Sequence, residues 1–474
     1  MLLQPKVLLL PAVFVLHVGS CFGQNEIAPG IETARIYGNI YTYAYYFVDL
    51  LVGTPPQRTS VILDTGSRVC AFTCTHCRKC GKHKDHAFDL QASNTSNWTQ
   101  CGAGCAGSCE RDHCSYFQHY TEGSAIGGWW FDDLVSLGDI VGNDQPNHPV
   151  RGRMGCHRIE TNLFYTQEAN GMLGVGPSFG SQGTSVTPLL QQLYKDRKHI
   201  REHIFSICLA EWGGMLAVGG FNVSYHTGPM QWIKMLTSSS SGMGYYNVHL
   251  TGMQVDGKPV LASFGSAIID SGTTYTYMGS MAYNALKGAI MTYCKGHNCC
   301  GGDCPQSTCW NLASAKVLDN FPDVQVIFGN VKTTWVPSAY MYRRGHTNTW
   351  CYSFQDDGPG ASTVLGAAWM LKQEIVFNME NKSIGIAQAN CPEFRHRPKV
   401  MPSSASGLPE TSLIEKQETK RGAVRPRLPA NVGGVAALAT AMLAFTACLL
   451  APRASFSRRM DSSVQLSHFE EGCE

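Results

Sequence analysis

Charge is scarce in this chain of 474 residues, of which Asp, Glu, Lys and Arg make up 15%, against about a quarter in ordinary soluble proteins. Neither sign dominates: 37 basic residues oppose 35 acidic ones, for a formal charge of +2. That balance excludes a protein that gathers nucleic acid or acidic partners through its summed field. Nucleotide, haem and flavin motifs are missing, so no cofactor and no metal are expected, and water is the only co-reactant required. Helical segments are few, since only 187–198 and 279–293 have suitable length and residues. What is plentiful points elsewhere. A hydrophobic share of 44% rules out wholesale disorder, 49 Gly and 22 Pro indicate a turn-rich chain, and 20 Cys indicate maturation where thiols oxidise.

Long apolar runs occur near the two ends only. Lys6, the run from Val7 to Val18 and the small residues Gly19, Ser20 and Gly23 have the layout of a secretory signal peptide over 1–23. Val432–Leu450 carries no charge and approaches the roughly 20 residues needed to cross a bilayer, so a transmembrane helix is expected over 431–452. The polar tail 453–474 that follows argues against a glycolipid anchor. Arg453, Arg458 and Arg459 suit a cytosolic flank, whereas Lys416, Lys420, Arg421, Arg425 and Arg427 lie on the other side. The signal peptide decides the orientation: a single-pass protein with a lumenal body and a short cytosolic tail. Residues 395–430, rich in Pro, Ser, Lys and Arg, read as a flexible stem. Sequons at Asn94, Asn97, Asn222 and Asn381 make those residues candidate glycosylation sites and agree with lumenal exposure.

Between signal and stem, short β-branched or aromatic runs bounded by Gly, Pro, Asp or Ser read as strands, so the body is expected to be mostly β. One motif occurs twice. Val61, Ile62 and Leu63 lead into Asp64, Thr65, Gly66 and Ser67; Ala267, Ile268 and Ile269 lead into Asp270, Ser271, Gly272 and Thr273. Downstream of each comes an apolar pair plus Gly, at Met172–Gly174 and Val364–Gly366. Two similar lobes follow, joined near 227–240. An apolar strand that delivers an Asp into such a turn suits catalysis: Gly admits a second backbone, and the hydroxyls of Ser67 and Thr273 can orient the acids. Two carboxyls brought face to face cannot both ionise easily, so they would share one proton, with one acting as base on a water and the other as acid.

With these motifs the sequence resembles pepsin-type aspartic endopeptidases from about Tyr45 to Cys391. Gly53-Thr54-Pro55-Pro56-Gln57, Val218-Gly219-Gly220 and Val376-Phe377-Asn378 also match. The resemblance implies an all-β, bilobal pepsin-like fold: an N-terminal protease lobe over 24–228, with a flap over about 116–131, and a C-terminal lobe over 229–394. It implies Asp64 and Asp270 as the catalytic pair, Thr65 and Ser271 as the residues tying the lobes beneath it, and Tyr120 as the flap tyrosine. Eight cysteines between Cys70 and Cys114 resemble the insert of nepenthesin-like proteases. Met154-Gly155-Cys156-His157 and the stretch from Asn162 to Gly174 resemble the plasmepsin V family of parasite export proteases. That family implies cleavage of secreted polypeptides in the endoplasmic reticulum or Golgi, after a motif with Arg three residues before the cut and Leu adjoining it. Glu122 follows Tyr120 by two positions, so on a hairpin strand it would share its face and could bind such an Arg; the resemblance adds Gln167 as a second acceptor.

Some positions depart from the family. Thr121 replaces an unpaired flap Cys, and Ala71-Phe72 stands where pepsin has the Trp that holds its flap Tyr. Ala367 replaces an Asp beside the second turn, so an optimum less acid than pepsin's is expected. Few residues separate the expected signal peptide from Ile36, so activation by prosegment removal is not expected. Cys74, Cys77 and Cys80 with His76, His83 and His86 have zinc-like spacing, but an oxidising compartment favours disulfides. Omitting Cys21, Cys448 and Cys473 leaves 17 Cys, whereas cleavage after Ser20 would retain Cys21 and make 18, so sequence gives neither parity nor connectivity. A broad-specificity tethered protease and an inactive bilobal receptor are the competing readings.

Overall fold

Both Asp-bearing segments form strands that end on the acid, at Gln57–Asp64 and Ser266–Asp270. Val61, Ile62 and Leu63 are fully buried, as expected of a strand covered on both faces, which reads as a continuous apolar run. The computed structural model describes residues 30–398, apart from 103, 106, 121, 139–146, 178–187, 196–198, 237–243, 298–299 and 301–307. The expected signal peptide, spanning segment, tail and most of the stem lie outside the described residues, as do Thr121, Cys21, Cys448 and Cys473. Among the described residues no helix is long and apolar enough to cross a membrane.

The repeated sequence elements are repeated structural ones. Gly171–Gly174 runs parallel to the first Asp strand with Gly174 opposite Asp64, and Thr363–Gly366 runs parallel to the second with Gly366 opposite Asp270. Glycine is required at both crossings. A Cβ on Gly174 would stand 2.5 Å from the Val69 nitrogen, and one on Gly366 would stand 2.0 Å from the Tyr275 oxygen. The fold is mostly β and pepsin-like.

A 15-stranded sheet runs through both halves of the chain. Ile204–Leu209 is its hinge line, paired on one side with Gly214–Val218 and on the other with Gln373–Asn378. The Val218 and Val376–Asn378 motifs therefore meet around Phe205, whose ring stacks 4.5 Å from that of Phe377. Of the two expected helices, one spans Leu189–Lys195 and the other Ser280–His297. The longer one buries Ala282, Tyr283, Leu286, Ile290 and Cys294, a stripe of period near 3.6.

Disulfides take up the zinc-like spacing: Cys77 pairs with Cys80, and Cys74 with Cys156. Cys101–Cys109 and Cys105–Cys114 close the rest of the insert. Further bonds join Cys208 to Cys391, Cys294 to Cys300 and Cys309 to Cys351. Cys70 is unpaired, and burial pushes its thiol up to about 12. Asn94, Asn97 and Asn381 are exposed, while Asn222 is half-buried with its side-chain oxygen accepting from the Ser224 amide. Arg397, expected to lie in the stem, is seated on the body instead, with its side chain 7% exposed, while Arg395 and His396 are exposed.

Candidate active site

The two Asp turns face each other at the base of the cleft between the halves. Asp64 is 3% exposed and Asp270 2%. A Cβ built on Gly66 would lie 2.6 Å from Asp270 Oδ1, and one on Gly272 would lie 2.3 Å from Asp64 Oδ1. Each glycine thus lets the opposite carboxyl approach its backbone, which no other residue type would allow. Each turn also feeds its own acid, with Gly66 N–H donating to Asp64 Oδ1 at 2.8 Å and Gly272 N–H to Asp270 Oδ1 at 3.0 Å.

Beneath the acids, Thr65 and Ser271 exchange hydrogen bonds across the halves. Thr65 N–H donates to Ser271 Oγ at 3.1 Å, and Ser271 N–H to Thr65 Oγ1 at 2.8 Å. Their hydroxyls continue into the opposite strand, Thr65 Oγ1 to the Ile269 carbonyl at 2.9 Å and Ser271 Oγ to the Leu63 carbonyl at 2.7 Å. All donors and acceptors at this buried crossing are used, which fixes one turn against the other.

The two acids are not equivalent. Burial and then the neighbouring charge of Asp270 hold Asp64 well above the usual carboxylate range. Burial raises Asp270 too, but the Thr273 hydroxyl, 2.6 Å from Oδ2, and the Asp64 carboxyl pull it back. The pair therefore holds on to a shared proton, and its titration belongs to the two carboxyls together. The Ser67 hydroxyl lowers Asp64, and it also lies 3.2 Å from Met172 Sδ.

Tyr120 approaches from the flap, the hairpin of His113–His119 and Ala125–Leu137. Its hydroxyl meets Met172 Sδ at 3.3 Å and its ring centroid lies 4.8 Å from that of Phe164. Met172 and Phe164 thus give the tyrosine a resting place without the Trp that Ala71-Phe72 replaces. Regular strand ends at His119, and Glu122 lies in the following turn, so strand alternation does not place it. Asn162 Nδ2 donates to the Gly123 carbonyl at 2.9 Å, and the Leu163 amide donates to Ser124 Oγ at 3.3 Å. These bonds moor the turn to the short helix Leu163–Thr166, directly before Gln167.

Glu122 is half-buried, and neither of its carboxylate oxygens has a hydrogen-bond partner of good geometry. Burial raises its pKa, with nearby Ser124 opposing. Gln167 is 6% exposed, and its side-chain oxygen is likewise without a partner.

Three residues that the sequence did not single out for this site support it: Met172 under Tyr120, and Glu160 and His157 behind Gln167. His157 Nδ1 lies 2.8 Å from Glu160 Oε1. Their neighbourhood was visible in the stretch around Met154–His157, but their contacts span distant segments.

A paired-Asp centre of this geometry, on this fold, defines an aspartic-type endopeptidase. A family model described as eukaryotic aspartyl protease matches residues 45–389, and the chain belongs to that family. It is 33% identical to Aspartic protease 5 of Toxoplasma gondii over 421 residues, which cover 76% of this chain and 38% of that one. The chain thus spans well under half of that relative. It is 25% identical to Plasmepsin V of Plasmodium falciparum over 449 residues, covering 76% of this chain and 72% of that one. Pepsin A of Sus scrofa is 25% identical over 355 residues, covering 73% and 82% respectively.

Proposed function

We propose that the chain is a membrane-anchored endopeptidase of the secretory pathway that cuts secreted polypeptides after a short Arg-x-Leu-like motif. The observation that carries this reading is three acceptor oxygens, two on Glu122 and one on Gln167, that have no hydrogen-bond partner of good geometry, with only the Ser124 and Glu122 donors of the flap turn close to Glu122. Buried acceptors in that state cost free energy until a donor arrives. A guanidinium supplies several donors in a planar fork suited to a carboxylate and an amide oxygen. Leu next to the cut would suit the apolar surroundings of Tyr120, Phe164 and Met172.

In the proposed chemistry a water lies between the two acids. Asp270, ionised, takes a proton from the water as its oxygen attacks the scissile carbonyl carbon. Asp64, protonated, donates to the carbonyl oxygen, giving a neutral tetrahedral diol. The diol then collapses: the C–N bond breaks, the amine nitrogen gains the proton held by Asp270, and a diol hydroxyl returns a proton to Asp64 as the new carboxylic acid forms. Tyr120 would close over the intermediate and exclude water. Glycans on exposed sequons and a helix over 431–452 would hold this body on the lumenal side, facing passing polypeptides.

Digestion of a peptide library by the full-length chain tests the proposal. Cuts concentrated at Arg-x-Leu are expected. Scattered apolar cuts would point to a broad-specificity protease, and no cuts to an inactive module. Glu122→Ala is expected to lower kcat/KM about ten- to a hundredfold on Arg peptides, the worth of one charge-assisted hydrogen bond. An equal loss on peptides lacking Arg would count against Arg recognition. Hydrolysis that survives Asp64→Asn or Asp270→Asn would overturn the mechanism.

A further inference from the structure

The Cys-rich insert grips the segment that carries Gln167. Glu160 N–H donates to the Lys79 carbonyl at 2.8 Å, and Lys84 N–H to the Glu168 carbonyl at 2.7 Å. A Cβ on Gly81 would stand 1.8 Å from the Tyr165 carbonyl oxygen, so these backbones touch. Between them lie the side chains of His83, 2% exposed, and Glu160, 1% exposed. His83 Nε2 is 2.9 Å from Glu160 Oε2, and its Nδ1 is 3.0 Å from the Gln167 carbonyl oxygen. Glu160 also accepts from the Gly81 amide at 2.9 Å, the Thr73 hydroxyl at 2.6 Å and His157 at 2.8 Å.

A carbonyl oxygen can only accept, and so can an ionised carboxylate. Both nitrogens of His83 must therefore donate, which only the imidazolium does. A neutral ring would turn a lone pair toward either Gln167 or Glu160. We infer that His83 is a positioning residue for substrate arginine: its imidazolium ties the Gln167 main chain to Glu160, and losing a ring proton breaks one end of that bridge and loosens the hold. The inference rests on the proposed role of Glu122 and Gln167 in arginine recognition.

The surroundings agree with the geometry. Burial alone would lower the His83 pKa, but Glu160, by hydrogen bond and charge, and the Gln167 carbonyl outweigh it and raise the value above the ordinary 6.5. Glu160 and His157 face this centre from the Val150–Glu160 strand, with the Tyr116 ring 6.4 Å from that of His157. Lys84 and Glu168 pair at 2.8 Å beside it, and Asp85 with Arg58 and Arg397 lies beyond. A raised histidine pKa means that the hold is complete at low pH and loosens as pH rises through the raised value. Glu122, whose own pKa is raised, governs the acid side instead, where protonation removes its charge.

The test compares two fluorogenic peptides, identical except for Arg or Ala three residues before the cut, on the full-length chain in detergent across pH. The ratio of their kcat/KM values cancels the titration of the Asp pair. In the native chain the ratio should fall on the alkaline side. His83→Gln should lower it about tenfold at its maximum, the scale of one charge-assisted hydrogen bond, and flatten the alkaline fall. Gln167→Ala should give a similar loss, and the double variant little more. A merely structural histidine would slow both peptides together and leave the ratio unchanged. An unchanged ratio in His83→Gln, with a lowered one in Gln167→Ala, overturns the positioning role and leaves arginine recognition standing. A ratio indifferent to both Glu122→Ala and Gln167→Ala overturns the recognition reading itself. Should His83→Gln not fold, an alkaline fall in the native ratio supports the inference and a flat one overturns it.

Discussion

Thr273 and Ser67 occupy equivalent turns, yet they treat their acids differently. The Thr273 hydroxyl lies 2.6 Å from Asp270 and stabilises its anion, while Ser67 is shared with Met172. Burial raises both acids and their charges interact, so these hydroxyls act on a pair that titrates together. In the proposed chemistry one carboxyl is ionised and the other protonated, so activity falls in acid as the pair gains a second proton and in base as it loses the shared one. Burial pushes both carboxyls upward, so the profile is expected to lie higher than for exposed carboxyls, and one peaking below about 3 would contradict this. Thr273→Val removes a donor to the anion, so Asp270 should rise further and the acid limb of kcat/KM move up by roughly one unit, the equivalent of about 1.4 kcal/mol. A limb that stays in place would show that Thr273 does not tune the pair. The acids themselves were legible in the sequence, because a strand that runs straight into its turn leaves little freedom over where the carboxyl points. Their inequality was not, since Met172 comes from a strand 105 residues after Ser67.

At the scale of elements, the repeated strands were legible because buried strands declare themselves as apolar runs with Gly at the crossings. The hold of the insert on the stretch before Ala169 was not. Its Cys and His spacing suited zinc or disulfides equally, and it is the 77-residue separation of His83 from Glu160 that hides their pairing. Cys74 likewise finds its partner 82 residues away, outside the insert. Glu160 is the keystone of that contact. Burial would raise its pKa, but His157 and His83, by hydrogen bond and charge, bring it down to about 2. A carboxyl depressed from 4.5 to about 2 contributes on the order of 3 kcal/mol. That contribution is present above the ordinary carboxyl value and is lost as pH falls through the range down to about 2. Glu160→Gln also leaves the His83 imidazolium without its counter-charge. Thermal unfolding at neutral pH should therefore show the variant destabilised by roughly 3 kcal/mol, with the gap narrowing in acid. Equal stability at neutral pH would mean that the network does not hold the insert.

For the whole molecule, the decisive contact lies where the chain leaves the body. Cys391 is bonded to Cys208, the Phe394 amide donates to the Trp212 carbonyl at 2.9 Å, and the Phe394 ring lies 6.3 Å from Tyr37. Arg395 then stacks over Trp212 at 5.3 Å. Arg397 ends the path among acids of the first half, with Nε 2.8 Å from Asp49 Oδ2 and Nη1 2.9 Å from Asp85 Oδ1. Composition assigned these residues to a stem because Arg and Pro are usual in linkers, and no local pattern marks an Arg whose two acids lie more than 300 positions earlier. The consequence is a strap that carries the end of the second half onto the first. Removing one member of a buried ion cluster costs about 3 to 5 kcal/mol, because the charges left behind stay buried with less compensation; Arg58, 3.4 Å from Asp85, retains part of it here. Arg397→Ala should destabilise the full-length chain by that amount in thermal or denaturant unfolding, and Arg397→Lys should recover only part, lacking the planar fork that spans two carboxylates. Neutralising all three, with Arg397→Met, Asp49→Asn and Asp85→Asn, should restore part of the loss, since it removes the undercompensated acids but takes the Asp85 partner from Arg58. A triple variant as unstable as Arg397→Ala would instead mean that the strap holds through its specific geometry, and an Arg397→Ala variant of native stability would mean that it does not hold the body at all.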